Sequence, residues 1–310
     1  MEKDFRLYLI AKMHYVDHMK QNDIAQTMGM SNMMVSRMIK RAEEEGIVTF
    51  HVHAPNKINW ELGKKVKDRF PNLKEVLVVM PDADEDPRQI VAEAAAEYVQ
   101  GLVENGNTIG LSWGRTILEF VNALRAPGVP GLKILQMSGG FLCEKNFEMM
   151  PANLVKIASE HLHANPCFLS APMFVTSAEV RRSLMMDPLL QYLDDMFSSM
   201  DISIYGLSEL DQATSMKEVG IVSESDIEEL KAKGAVGDVM GCFLDAKGQI
   251  VEWSKTPCYM GASLQTVSKA PHAICLATGA HKSRIMKLAM EHNYCNTAII
   301  SYDLAYELLQ

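Results

Sequence analysis

The 310-residue chain has no apolar run approaching the roughly 20 residues of a membrane-spanning helix. Its N-terminus, MEKDFRLYL, lacks the basic, then apolar, then small-residue layout of an export signal. The expected location is therefore the cytoplasm, with no membrane partner. The six cysteines (143, 167, 242, 258, 275 and 295) form no CxxC and no pairing with histidine at zinc spacing. They read as buried thiols. The pairs His14/His18, His51/His53 and His161/His163 have no third ligand placed by the sequence. No metal or other cofactor is expected. No internal repeat and no low-complexity tract interrupts a composition of 48% hydrophobic and 22% charged residues, ordinary for a globular protein. The length suggests about two domains.

Positive charge is also lacking: the net charge is −9. Its distribution matters more than its total. Residues 1–50 carry seven basic and seven acidic side chains and are neutral. Within them, Gln21 to Arg41 reads QNDIAQTMGMSNMMVSRMIKR. Ile24 and Ala25 fall mid-helix. Gly29 falls where a tight turn needs positive φ, and Ser31 is a good N-cap. Val35, Met38 and Ile39 then recur at helical spacing. This is the pattern of a helix-turn-helix, whose second helix enters the DNA major groove. The opposite face carries Ser31, Asn32, Met33, Ser36, Arg37, Lys40 and Arg41. Arg37 is placed to read guanine, and Lys40 and Arg41 to hold phosphates. The acids are expected at helix ends or far from this face. A neutral module with a local basic patch suits specific operator binding by a dimer or tetramer that pools several patches.

A first helix is expected over 4–19, with Leu7, Ile10, Ala11, His14 and Tyr15 as its apolar stripe. Gly46 should end the recognition helix, and IVTFHVHA (47–54) alternates like a strand or small wing. The expected division is a DNA-binding domain over 1–55, a basic linker helix over 56–72 and a ligand domain over 73–310. After Pro71, apolar strand-like runs alternate with amphipathic helices. Strands fall at 75–80, 107–113 and 132–140, with helices over 87–104, 115–125 and 151–163. CFLSAPM, DISIYGLS, AVGDVMGCFLD, HAICLAT and NTAIISYD continue the series. The fold class is α/β, a helical N-terminal domain followed by a Rossmann-like parallel sheet covered on both faces.

Ligands on such sheets bind beyond the C-terminal ends of the strands. Four segments fall there. Ser112-Trp113-Gly114-Arg115-Thr116 opens a helix and offers backbone N–H groups, a hydroxyl and a guanidinium to a phosphate. Ser138-Gly139-Gly140 is the second. Lys233 to Asp238 is the third, with Asp238 as an acceptor for sugar hydroxyls. Gly279-Ala280-His281-Lys282 is the fourth, with Lys282 as a phosphate partner. Together they suit an anionic, hydroxylated ligand.

Gly110-Leu111-Ser112-Trp113-Gly114 also matches G-x-S-x-G, which would make Ser112 an acyl-transfer nucleophile. Asp238 or Asp245 with His272 or His281 would keep the triad order, but no HGG-type oxyanion loop precedes Ser112. A second enzymatic alternative is a sugar-phosphate isomerase or deaminase with an N-terminal dimerisation module. His281 and Asp238 would then be its base and acid.

The whole chain resembles the SorC family of bacterial sugar-responsive transcriptional regulators, sometimes described as DeoR-like. The resemblance rests on IAQTMGMSNMMVSRMIKRAEEEGIV (24–48), IGLSWGRT (109–116), MSGG (137–140), LSAPM (169–173), YGLSEL (205–210), GAVGDVMGCFLDAKG (234–248) and ATGAHKSRIMKLAM (277–290). It implies a sugar-phosphate isomerase-like effector domain that has kept binding and lost turnover. It also implies dimers or tetramers on operator DNA, repression relieved by ligand, and a phosphorylated sugar or polyol as effector. Gly114-Arg115-Thr116, Gly139-Gly140, Asp238 and Lys282 would line its site. The chain departs from the family at Cys242-Phe243-Leu244 and at Ala277 to Lys282, where His281 stands beside the lysine.

Overall fold

The structure is a computed structural model that describes residues 2–48, 57–125, 128–142, 146–210 and 215–310. The chain divides into two units, residues 1–54 and 55–310.

The first unit holds α1 (Glu2–Tyr15), α2 (Gln21–Met28) and α3 (Asn32–Glu44). The first helix stops at Tyr15, short of the expected residue 19, and His18 takes a left-handed φ of 52° in the turn that follows. Gly29 ends α2 at φ 64°, a conformation that costs glycine little. Ser31 caps α3 by accepting from the Met34 N–H at 3.3 Å. Ile10, Ile24, Ala25, Val35 and Ile39 form the buried core, and Leu7, Ala11 and Ala42 close it against Ile47 and Val48. Gly46 follows α3 at φ 70°. The wing expected over 47–54 lies outside the described residues beyond Val48.

The second unit is a three-layer α/β structure. Its strands are β1 (Glu75–Val79), β2 (Thr108–Leu111), β3 (Lys133–Gln136), β4 (Asn165–Cys167), β5 (Ile202–Glu209), β6 (Ala235–Val239), β7 (Cys242–Asp245), β8 (His272–Ala277) and β9 (Thr297–Ser301). Seven of them run in the order β1-β9-β8-β5-β2-β3-β4, every neighbouring pair parallel. The strands are apolar on both faces, as helices on both sides require. In β9, Ile299 packs to one face while Ala298 and Ile300 pack to the other.

One face is covered by α5 (Pro87–Leu102), α6 (Arg115–Ala123) and α7 (Pro151–Leu162). The remaining helices are α4 (Trp60–Arg69), α8 (Ala178–Leu184), α9 (Pro188–Ser198), α10 (Ser215–Glu218), α11 (Glu224–Ala232), α12 (Leu264–Val267), α13 (Ser283–Glu291) and α14 (Tyr302–Glu307). Of these, α4, α9, α12, α13 and α14 build the other face. The segment expected as a linker helix is thus part of this unit: Leu62 and Val66 of α4 are buried in its core, and Gly63 lets the helix lie on the backbone of Val76.

Two further expectations fail for local reasons. The run AVGDVMGCFLD is not a parallel strand but the antiparallel hairpin β6–β7, turned at Met240 and Gly241 with φ of 55° and 79°. Two positive φ values at a two-residue turn match the twist of the flanking strands. Strand β6 pairs with Leu207–Glu209, the part of β5 that extends beyond its pairing with β8. The run CFLSAPM is strand only at its first residue, Cys167. Pro166 and Pro172 cannot donate to a ladder, and after Cys167 the chain keeps only isolated bridges at Pro172 and Phe174.

Candidate functional site

Three adjacent strands, β2, β5 and β8, end beneath one cleft, and the β6–β7 hairpin rises beside it. Ser112, Gly114, Arg115, Thr116, Asp238 and Lys282 all line the cleft. Ser112 is 3% exposed and follows β2 directly. Gly114, at φ 126°, turns the chain into α6 without a side-chain cap, which leaves the first N–H groups of α6 without a side-chain acceptor. The partial positive charge of a helix start favours an anion there. Arg115 sits at this first turn and pairs with Glu218 at 3.3 Å.

The extension of β5 and the hairpin bring Ser208 and Asp238 together. The Ser208 hydroxyl donates to Asp238, and the Gly241 N–H donates to its other oxygen at 2.8 Å. Asp238 is 6% exposed, and burial pushes its carboxyl above the usual range despite these donors and the nearby Lys282. Lys282 lies in the turn between β8 and α13. Burial pulls its ammonium below the ordinary value, Arg88 and Arg115 add to that shift, and Asp238 opposes it. Half-buried Lys282 and Arg88 and exposed Arg115 thus place three cations on one cleft. An anion entering it gains three partners and relieves their mutual repulsion.

The Ser138-Gly139-Gly140 segment does not line this cleft. Gly139 donates to the Met260 carbonyl at 2.8 Å and Gly140 to the Ala171 carbonyl at 2.8 Å, so the segment knits β3 to two neighbouring straps. Among the described residues the buried Ser138 hydroxyl has no partner. Only the next residue, Phe141, reaches toward the cleft, with its ring 4.8 Å from that of Trp113. Conversely, Arg88, Ser208 and Gly241 line the cleft and are not among the residues expected there.

Of the residues weighed for a triad, Ser112, Asp238 and His281 line the same cleft, but the Asp238 carboxylate accepts from Ser208 and Gly241, and His272 and Asp245 stand elsewhere. His272 begins β8, at the end of the sheet opposite Ser112, and burial together with Lys74 pulls its imidazole below the ordinary value. The Asp245 carboxylate instead accepts from the Lys247 and Gln249 N–H groups of its own turn.

In the first unit, Ser31, Asn32, Met33, Ser36, Arg37 and Lys40 are exposed on one side of α3, with Arg41 half-buried. The Asn32 side chain donates to Asn22. Glu43, Glu44 and Glu45 stand at the end of α3, where Lys40 lies 3.8 Å from Glu44 and Arg41 pairs with Glu45. One turn along a helix is enough to bring such pairs together.

Comparison with known proteins bears on this arrangement. Residues 55–310 match the family described as "Putative sugar-binding domain". The chain is 25% identical over 300 residues to the deoxyribonucleoside regulator of Bacillus subtilis (strain 168), covering 96% of this chain and 95% of that one. It is 24% identical over 314 residues to the sorbitol operon regulator of Klebsiella pneumoniae, covering 99% and 98%. The crystal structure of the full-length sorbitol operon regulator SorC from Klebsiella pneumoniae superposes with a TM-score of 0.75 at 23% identity, covering 99% of this chain and 100% of that one, which shows a shared fold. These relatives carry the names of regulators, not of enzymes. The chain belongs to the sugar-binding-domain family of SorC-type transcriptional regulators.

Proposed function

We propose that the chain is a sequence-specific DNA-binding regulator of a carbohydrate operon, acting as a repressor, and that a phosphorylated sugar or polyol in the cleft controls it. One observation carries the ligand half: Arg88, Arg115 and Lys282 line, with the start of α6, the same cleft as Asp238 and Ser208. The cations and backbone N–H groups suit a phosphate, and Asp238 suits a hydroxyl on the same ligand. The relatives' names, which refer to sorbitol and to deoxyribonucleosides, support a sugar-like effector.

The DNA half rests on α2, the Gly29 turn and α3, read as a helix-turn-helix with Arg37 toward the bases. Residues 1–55 would bind the operator and 73–310 the effector. A homodimer or homotetramer would pool several such modules on the operator. Effector and operator affinities must then be linked reciprocally.

The test is thermal unfolding and operator binding with sugar phosphates and with the parent sugars. A bound ligand raises the melting temperature by mass action. Phosphorylated compounds should do so and weaken operator binding, and Lys282→Ala should lose both effects. A response equal with and without the phosphate, or one retained in Lys282→Ala, would refute the anionic reading.

A further inference from the structure

A second cavity of about 290 Å³ adjoins the cleft at the turn of the β6–β7 hairpin. For scale, a dry cavity of about 150 Å³ is enough to take up benzene. Its walls include Phe174, Trp253 and Tyr259. The Phe174 ring lies 5.9 Å from that of Trp253 and 5.7 Å from that of Tyr259. Phe243 backs Trp253 edge-on at 5.7 Å.

These walls are fixed in place. The Val175 N–H donates to the Cys258 carbonyl at 3.0 Å, and that of Met260 donates to the Met173 carbonyl at 2.9 Å. Lys255 stands 5.5 Å from the Trp253 ring centre and is itself held by Asp226 at 2.6 Å. A preformed aromatic cavity spends little ordering free energy on a ligand.

One cation faces the same space. Arg181 donates through Nε to the Tyr259 carbonyl at 2.8 Å, and among the described residues its guanidinium has no ion-pair partner. Glu252 stands at the rim, exposed to water. An unpaired guanidinium beside aromatic walls selects a flat apolar body that ends in an anion.

We propose that this cavity is a second ligand site, for a small aromatic carboxylate, distinct from the cleft. The two sites share a wall, because Met240 and Gly241 line both. The Gly241 N–H also holds the Asp238 carboxylate of the cleft. A ring seated against Gly241 and Cys242 therefore bears on the group that receives the sugar hydroxyl, and the two ligands are energetically coupled.

Calorimetric titration of the full chain with cinnamate and with cinnamyl alcohol tests this. Cinnamate should bind at one site, with the alcohol at least about tenfold weaker. Arg181→Gln should erase that difference while leaving the melting temperature near wild type. Gln265→Trp, at the rim, should block both compounds. Lys282→Ala should leave cinnamate binding intact, which separates this site from the phosphate cleft. Absence of saturable cinnamate binding, or loss of that binding in Lys282→Ala, would overturn the proposal. A retained preference for the acid in Arg181→Gln would do so as well. The response to sugar phosphates stands or falls separately.

Discussion

Substituting Gly139 by alanine distinguishes a ligand loop from a structural crossing at the end of β3. A Cβ at this position would lie 2.4 Å from the Pro172 carbonyl oxygen, 2.5 Å from its carbon and 2.7 Å from the Met173 nitrogen. These are backbone atoms, so no side chain can swing aside. Either β3 or the 171–173 strap must move. That movement stretches the bonds from Gly140 to Ala171 at 2.8 Å and from Met173 to Gly140 at 2.7 Å. Overpacking costs about 1–3 kcal/mol, and each weakened bond adds about 1 kcal/mol. A destabilisation of about 3–5 kcal/mol follows, or a fall of about 6–20 °C in the melting temperature of a unit this size. Gly140→Ala is the internal control, because its Cβ would meet only the Ala171 oxygen, at an ordinary 3.9 Å. Calorimetry of the two variants beside wild type measures the difference. Equal melting of both variants would refute the reasoning. A wild-type melting temperature for Gly139→Ala combined with a lost effector response would return the segment to the ligand site.

Three more outcomes follow from the structure. Because burial raises the Asp238 carboxyl, the folded chain holds that proton to higher pH than the unfolded chain does, so its contribution to stability falls as pH rises through the raised value. Asp238→Asn should therefore gain stability relative to wild type as pH rises from the ordinary carboxylate range through the raised value, read by chemical denaturation, and a flat difference would contradict the burial argument. Glu45→Gln frees Arg41 and should strengthen binding to all DNA sequences alike, whereas Arg37→Ala should cost about 1–3 kcal/mol at one base position, both read by fluorescence anisotropy. Ile24 is fully buried in the small first core, so Ile24→Ala should cost that unit about 2–5 kcal/mol while ligand binding persists, and joint loss of both activities would count against separate units.

The sheet was legible because its strands are buried on both faces and read as unbroken apolar runs, such as Val76–Val79 and Ala298–Ile300. The α2–α3 turn was legible because Gly29 and Ser31 each answer a specific backbone need. The hairpin was not. Its turn is Met-Gly, and methionine at φ 55° is not the residue such a turn usually carries, so strand, turn and strand merged into one apolar run. Ser112, Arg115, Asp238 and Lys282 could be brought to one cleft from the sequence because each lies near a strand end or helix start. Arg88 was missed because it begins a helix whose link to the cleft is purely tertiary. Gly139 misled because a glycine after a strand looks the same whether a ligand or another backbone approaches it.

Cations on both candidate surfaces are held by carboxylates on the protein itself: Arg115 by Glu218, Lys40 by Glu44 and Arg41 by Glu45. Pairs this exposed are worth about 0–1 kcal/mol. A phosphate dianion or a DNA backbone that makes several contacts at once displaces them at little cost. A single weak anion gains too little to do so. On the proposed reading the pairs therefore act as a threshold. They suppress monovalent anions in the cleft, and they let multivalent ligands through. Neutralising Glu218 in the full chain separates this from a merely structural pair. Glu218→Gln should raise the affinity for nitrate and for chloride more, in ratio, than the affinity for a sugar phosphate. An equal gain for all three anions would show that Glu218 sets charge alone and not selectivity.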